Sequence, residues 1–321
     1  MTTRSGVIGS DTVTGNLRSR SLGSLTIRRL FKQRNAILGI SILSTLVLIA
    51  IFAPQIAPYD PYNDLIGEED VAAREKPCIH LLGCPQDRPQ HLMGIDGNFR
   101  DQFSRVIYGT RISLFIGITT IGIAVVMGAL IGAVSGYLGG WADNAIMRIM
   151  DVILAFPSFL LAIAIITVLG RGLQNALYAI ALVNIPVFAR LVRASVLSLK
   201  EQEFVAASRA LGASPIRLLF VRIFPNATPT LIVQSTLSIA SAILEAAALS
   251  FLGLGAQPPA AEWGTMLGTE RNQVFTAPHL VFFPGIAIMV TVLAFNLLGD
   301  GLRDALDPRL ADISKASRIE G

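Results

Sequence analysis

ISLFIGITTIGIAVVMGALIGAVSGYL, residues 112–138, decides the fold. The run is rich in Gly and Ile and contains no Asp, Glu, Lys, Arg or His. A hydrocarbon core of ~30 Å needs about 20 mostly apolar residues in a helix. This run is long enough to span it. Working outward, five more runs qualify: 36–54, from just after Asp151 to 170 with Pro157 inside, 172–191 with Pro186 inside, 228–252, and 280–299. The expectation is an all-α membrane protein with about six transmembrane helices. Only Arg171 and its glycines separate the third and fourth runs, so a long re-entrant hairpin is the alternative there. Internal proline is tolerable when neighbouring helices or polar groups take up the freed carbonyl. No internal repeat points to two inverted halves.

Composition agrees. Of 321 residues, 52% are apolar and 15% charged, against roughly a quarter charged in a soluble domain. So little charge cannot cover two soluble surfaces, although the length would suit them. A disordered chain, a coiled coil and a disulfide-dense secreted module are excluded as well. The formal charge is +4, but the basic residues sit at the ends of apolar runs rather than in one patch. That excludes nucleic acid as the partner and points to membrane topology.

Arg4, Arg18, Arg20, Arg28, Arg29, Lys32 and Arg34 precede the first run against one acid, Asp11. By the positive-inside rule this end is cytoplasmic. Residues 55–105 carry Asp60, Asp64, Glu68, Glu69, Asp70, Glu75, Asp87, Asp96 and Asp101 and should lie outside. Arg190, Arg193, Lys200, Arg209, Arg217 and Arg222 place the segment between runs four and five inside. Only Arg271 lies between runs five and six, so that loop is outside, and Arg303, Arg309, Lys315 and Arg318 end the chain inside. The first run is too long for a cleaved signal peptide and reads as an uncleaved anchor. The Ser-, Thr-, Gly- and Arg-rich leader reads as a mobile tail.

Cys78 and Cys84 both fall in the outer loop, with Pro77, Gly83 and Pro85 marking turns. A disulfide closing a small loop, two free thiols, and a zinc site shared with His80 and His91 are the three readings.

The most informative stretch for function is EFVAASRALGASPIRLLFVRIFPN, residues 203–226. It parses as two short helices and a corner. The first covers 202–211 with Phe204, Ala207 and Leu211 on one face. Gly212 sits where a left-handed residue would end it. Ser214 is a natural N-cap and Pro215 suits the first helical position. Ile216, Leu219, Phe220 and Ile223 follow at i, i+3, i+4, i+7, and Pro225 should stop the second helix. One reading is an interfacial helix lying flat on lipid. The other is a rigid knuckle docking into a cytoplasmic partner, which the fixed Gly-x-Ser-Pro corner favours.

Ala206-Ala-Ser-x-x-x-Gly212 with Phe224-Pro225 resembles the EAA loop of ABC importer permeases. Ala206 stands where that pattern has Glu, and Ser208 where it has its second Ala; Glu203 lies one turn earlier. In that family the loop forms the coupling helix that inserts into the nucleotide-binding subunit. The resemblance therefore implies a coupling role for Glu203, Ala206, Ala207, Ser208, Leu211, Gly212, Ser214 and Pro215. More of the chain, roughly 31–310, resembles the C-type permeases of peptide and nickel importers. The matches are His91-Leu-Met-Gly-Ile-Asp96, then Arg100-Asp101-x-x-Ser104-Arg105-x-x-Tyr108-Gly-x-Arg111-x-Ser113, Ala155-Phe-Pro157, Leu249-Ser-Phe-Leu-Gly-Leu-Gly255, Gln257-Pro-Pro259, Trp263-Gly264 and the 296–308 segment NLLGDGLRDALDP. Leu92, Ile95 and Phe99 depart from that branch's usual Pro, Thr and Gly.

The resemblance implies a type I ABC importer permease: a cytoplasmic tail at 1–35, a first span at 36–54, an extracytoplasmic loop with an interfacial helix at 55–111, a permease core at 112–310 with its coupling loop at 201–225, and a cytoplasmic tail at 311–321. Implied partners are a homologous B-type permease, two cytoplasmic ATP-binding subunits, an extracytoplasmic substrate-binding protein and membrane lipid. The implied substrate is a di- or oligopeptide, with nickel or another small solute as the alternative. No cofactor is expected in this chain, ATP and Mg being held by the partner subunits. The expected location is the cell membrane, with both termini cytoplasmic.

The remaining charges read as follows. Arg105 and Tyr108 suit a short interfacial helix with snorkelling ends, or a contact with the binding protein. Arg148 and Asp151 pair at i, i+3, and Arg303 and Asp307 at i, i+4. Glu245 is the one acid in an otherwise uncharged stretch. It makes either a structural hydrogen bond to a neighbouring helix or a contact with substrate. There is no Gly-x-x-x-x-Gly-Lys-Ser/Thr phosphate loop, no nucleophilic triad, and His80, His91 and His279 are scattered, so the chain is not expected to be an enzyme. A secondary transporter would need paired intramembrane acids and bases, and only Glu245 is present.

Overall fold

The structure, a computed structural model, describes residues 30–67 and 69–306. The tail before residue 30, the tail 311–321, Glu68, and the Asp307 half of the expected Arg303 pair lie outside the described residues. So do the topology-setting Arg4, Arg18, Arg20, Arg28, Arg29, Arg309, Lys315 and Arg318.

The chain is built of helices: α1 Arg34–Ile51, α2 Gln102–Leu138, α3 Gly140–Leu154, α4 Ser158–Leu169, α5 Leu173–Leu199, α6 Glu203–Ala210, α7 Pro215–Phe251, α8 Trp263–Glu270 and α9 His279–Leu306. Among the described residues there is no strand, only isolated bridges. Helices α1, α2, α5, α7 and α9 are each long and apolar enough to cross a membrane. Helices α3 and α4 make a sixth span only as a bent pair.

Packing explains the glycines of the opening run. Gly128, Gly132 and Gly136 recur every fourth residue on α2. A Cβ at any of them would collide with Ile185, Phe188, Ala189, Arg193 or Val196 of α5. Small residues at this spacing let two membrane helices approach closely. Ile121 of α2, Ile166 of α4, Phe188 and Val196 of α5, and Leu249 of α7 fill the main core beside that seam. Helix α1 is peripheral: it buries only Ala36 and Gly39, both against α9.

Three sequence expectations need correction. The third span is not one helix starting after Asp151. Its halves, α3 and α4, meet at 89° at Pro157, which lacks an N–H to continue the helix and is itself extended, with φ −56 and ψ 125. Arg148 does not hold Asp151. Arg190 of α5 does, at 2.6 Å, while Arg193 grips Asp143 through two bonds of 2.5 and 2.6 Å. Those arginines lie on a packed neighbour, where bidentate geometry is available. Thirdly, the second span has no separate interfacial helix before it. Asp101 Oδ2 accepts the Ser104 N–H and hydroxyl, both at 2.7 Å, and this N-cap starts α2 at Gln102. Arg105 then falls one turn inside and is buried rather than snorkelling. Its guanidinium donates to the carbonyls of Pro61 at 2.6 Å and of Pro259 and Ala260 at 3.3 Å.

Residues 57–101 cap this end of the bundle, called here the loop end. Arg74 pairs with Glu270 of α8 at 3.0 Å, and Glu270 also accepts the Gly97 N–H. Gln102 donates to Leu280 O of α9, and Trp263 Nε1 to Val106 O of α2. Cys78 and Cys84 form a disulfide with Cα atoms 5.4 Å apart. The His91 nitrogens face Asp101 and Glu69 instead of the cysteines, so these side chains do not assemble the zinc reading.

Candidate functional site

The opposite end of the bundle carries α6, its corner and the start of α7. Gln202 is an N-cap in extended conformation without a side-chain bond. Glu203 supplies negative charge to the first turn, where the helix dipole favours it. Gly212 has φ +82. Its N–H donates to Arg209 O at 3.0 Å, and the Ala213 N–H reaches back to Ser208 O at 3.1 Å. These two bonds close a Schellman motif, which needs a left-handed residue at its centre. Ser214 follows in extended conformation, with Pro215 as the first residue of α7. The Ser214 side chain makes no cap bond; its carbonyl accepts the Leu218 N–H instead.

The second predicted helix does not stop at Pro225. Leu218–Ile223 is a π-helical turn that feeds directly into the rest of α7. The Phe224 N–H donates to Leu219 O, five residues back, and the Asn226 side chain takes up the Arg222 carbonyl at 2.6 Å. The wider turn absorbs the proline's missing donor. It also splits the predicted apolar face. Leu218, Leu219 and Ile223 turn into the core, while Ile216 and Phe220 stay exposed.

The result is a knuckle with a buried root and an apolar tip. Val205, Leu218, Leu219 and Ile223 belong to the main core together with Val196. Leu211 is 89% exposed and Ile216 73%. Ala206, Ala207, Gly212, Ser214 and Pro215 are exposed around them, with Glu203, Arg209 and Arg217 at the rim. Ser208 is half-buried, its hydroxyl donating to Phe204 O at 2.8 Å. The eight sequence-selected residues all lie on α6 and its corner, seven of them exposed and Ser208 half-buried. Ile216, expected on the apolar face of the second helix, is exposed instead of packed, and Val205 is the anchor that helical spacing alone did not single out. An apolar centre with a charged rim is how protein docking patches are built.

Glu245 is elsewhere. It lies thirty positions beyond Pro215 on α7, ~45 Å along the helix, half-buried and faced by Asn184 of α5 and Ser158 of α4. Among the described residues no group of His, Cys, Asp and Glu has the geometry to hold a metal.

Comparison with known proteins adds the following. Residues 128–312 match the family described as binding-protein-dependent transport system inner membrane component. Residues 21–77 match the N-terminal TM domain of oligopeptide transport permease C. A dipeptide transport system permease protein of Alkalihalophilus pseudofirmus is 47% identical, over 88% of both chains. A glutathione transport system permease protein of Pectobacterium atrosepticum is 43% identical, over 88% of this chain and 90% of that one. A di/tripeptide transport system permease protein of Pseudomonas aeruginosa is 46% identical, over 87% and 89%. Among solved structures, a chain of the inward-facing MetNI methionine ABC transporter superposes with a TM-score of 0.53 at 19% identity, over 63% of this chain and 97% of that one. At that identity the likeness speaks for the fold.

Proposed function

Because this chain belongs to the family of binding-protein-dependent transport system inner membrane components, we propose that its knuckle is where ATP-hydrolysing subunits drive it. The chain is a multi-pass inner-membrane permease of an ABC importer. The substrate in this reading is a short peptide, because the similar permeases are named for dipeptides, di/tripeptides and glutathione. Those names argue against nickel or another small inorganic solute. A homologous permease completes the pathway, and a substrate-binding protein delivers peptide at the loop end. Two cytoplasmic subunits hold ATP and Mg and seat the knuckle, and this chain holds no cofactor. In this reading the knuckle end and both termini face the cytoplasm, the side that the positive-inside rule assigns to the basic residues.

The observation that carries the reading is the knuckle's build. A lever must move as one body, and this one is closed by a Schellman motif, rooted in the core through Val205 and continuous with α7. Closure of the ATPases would swing the knuckle and α7 together and reopen the gate between the two permeases on the other side. The test uses Leu211→Asp and Gly212→Pro in the assembled transporter in proteoliposomes, with uptake and ATP hydrolysis measured in parallel. Both variants should insert and assemble. Uptake should fall about tenfold or more, the loss expected when an interface anchor worth ~2 kcal/mol is removed. ATP hydrolysis should stop responding to loaded binding protein. Uptake at the wild-type rate by both variants would overturn the assignment.

A further inference from the structure

Three helices bring polar side chains to one depth in the membrane. Ser158 opens α4 immediately after the break at Pro157. Asn184 lies about three turns into α5 and Glu245 about two turns from the end of α7. The loop ends of these helices are level, because the Gly172 N–H before α5 donates to Leu254 O after α7 at 3.1 Å. At ~1.5 Å per residue, Ser158 and Asn184 sit ~17 Å below that end and Glu245 ~10–14 Å below it. That is close to the middle of a ~30 Å hydrocarbon core. Asn184 and Ser158 are side chains within reach of the Glu245 carboxylate, although the hydrogen bond that the Asn184 amide makes is to Ile180 O, at 2.9 Å.

Two features point to a ligand rather than to a structural bond between helices. Ala155, Phe156, Pro157 and Ser158 are all exposed on the isolated chain, so the break opens on a surface. Non-helical backbone at this depth is tolerated only against protein or a water-filled cavity, never against lipid. The break therefore faces the pathway or the companion permease. Glu245 is also only half-buried by its own chain, and an intramembrane carboxylate is retained where it lines such a path. The last carbonyls of α3 add the negative end of a helix dipole at the same break.

A carboxylate, an amide, a hydroxyl and a helix C-terminus together suit a group with positive charge and several donors. We propose that Glu245, with Asn184 and Ser158, binds the free N-terminal ammonium of a peptide in transit. This rests on the peptide reading above. The ammonium supplies three N–H donors, and Glu245 is its counter-charge while the peptide crosses the gap between the two permeases. An N-terminal amine, common to all linear peptides, is a handle independent of side-chain identity.

The test bypasses the binding protein, which could itself select free amines. The assembled transporter in nanodiscs is equilibrated with Ala-benzoylphenylalanine-Ala, free or N-acetylated, and illuminated; labelled sites are read by mass spectrometry. The free peptide should label α4, α5 or α7 near Ser158, Asn184 and Glu245. Acetylation, or Glu245→Gln, should cut that labelling about tenfold or more, and Glu245→Asp should restore part of it. An unchanged melting temperature in Glu245→Gln separates this from a folding defect. Equal labelling by free and acetylated peptide, or by wild type and Glu245→Gln, overturns the proposal. So does an acetylated peptide ending in Lys that labels as well as the free one, because the site would then accept any primary ammonium. Peptide uptake by the wild type is measured first. A wild type that imports peptide without discriminating sinks this inference alone, and one that imports no peptide sinks the peptide reading too.

Discussion

His91 is held between two carboxylates at the loop end. One ring nitrogen lies 2.9 Å from Asp101 and the other 3.1 Å from Glu69. Burial works against its positive form, but the hydrogen bond and charge of Asp101, then those of Glu69, outweigh it and raise its pKa above the usual 6.5. Tyr59, whose hydroxyl donates to Glu69 at 3.1 Å, is pushed up to about 12 by burial and by that carboxylate, so it stays a donor. A raised folded-state pKa gives the sign. The stabilisation by His91 is fully present below the unfolded value near 6.5 and is lost as pH rises through the folded one. The wild-type melting temperature should therefore fall as pH rises above about 6.5. His91→Gln should remove that part of the slope. Parallel pH profiles for the two proteins would show that the two carboxylates do not depend on this histidine's charge.

Helix elements were legible where composition alone defines them, and illegible where one residue redirects the backbone. The α2–α5 seam offers a test with an internal control. Gly132→Val would drive its side chain into the Ala189 carbonyl and should cost about 1–3 kcal/mol as an overpacked core. Gly122, on the same helix, has nothing within 4 Å of where a Cβ would sit. Gly122→Ala should be neutral or stabilising by about 0.5–1 kcal/mol. Melting in detergent compares the two, and equal behaviour would remove the seam as the reason for the glycine spacing. Hydropathy found the five continuous spans because it needs no register, but it drew the bent pair α3 and α4 as one straight helix after Asp151. It could not foresee that Pro157 turns the chain through 89° while Pro186, also noted in advance, stays inside a continuous α5. The difference lies in the neighbours, which a single sequence does not display. At the knuckle, Gly212 and Pro215 were readable because each has one strong backbone preference. The π turn was not, because its extra residue depends on how Leu218 and Ile223 reach the core together.

The whole molecule has a cross-linked, ion-paired cap at one end and an exposed knuckle at the other. Helices α2 and α7, each ~55 Å long, run between them. Replacing both Cys78 and Cys84 by Ser should cost the cap about 2 kcal/mol in a chain-entropy account of so short a loop. Hydrogen exchange should speed up in residues 75–95 and stay unchanged in α6. Faster exchange at α6 would mean the two ends are less independent than their separate packing suggests.

The π turn at the base of α7 adds to the chain's length, not to its bearing. A π turn closes with i→i+5 bonds where an α turn closes with i→i+4 bonds, so it spends one more residue on the same turn of helix and leaves the knuckle's heading around the α7 axis nearly unchanged. Deleting Phe220 would let Leu218–Ile223 close into an ordinary α turn, giving a straighter helix with stronger bonds. Such a chain should melt no lower than the wild type and keep Leu211 and Ile216 close to their present heading. At this position the chain carries one residue more than a regular helix needs.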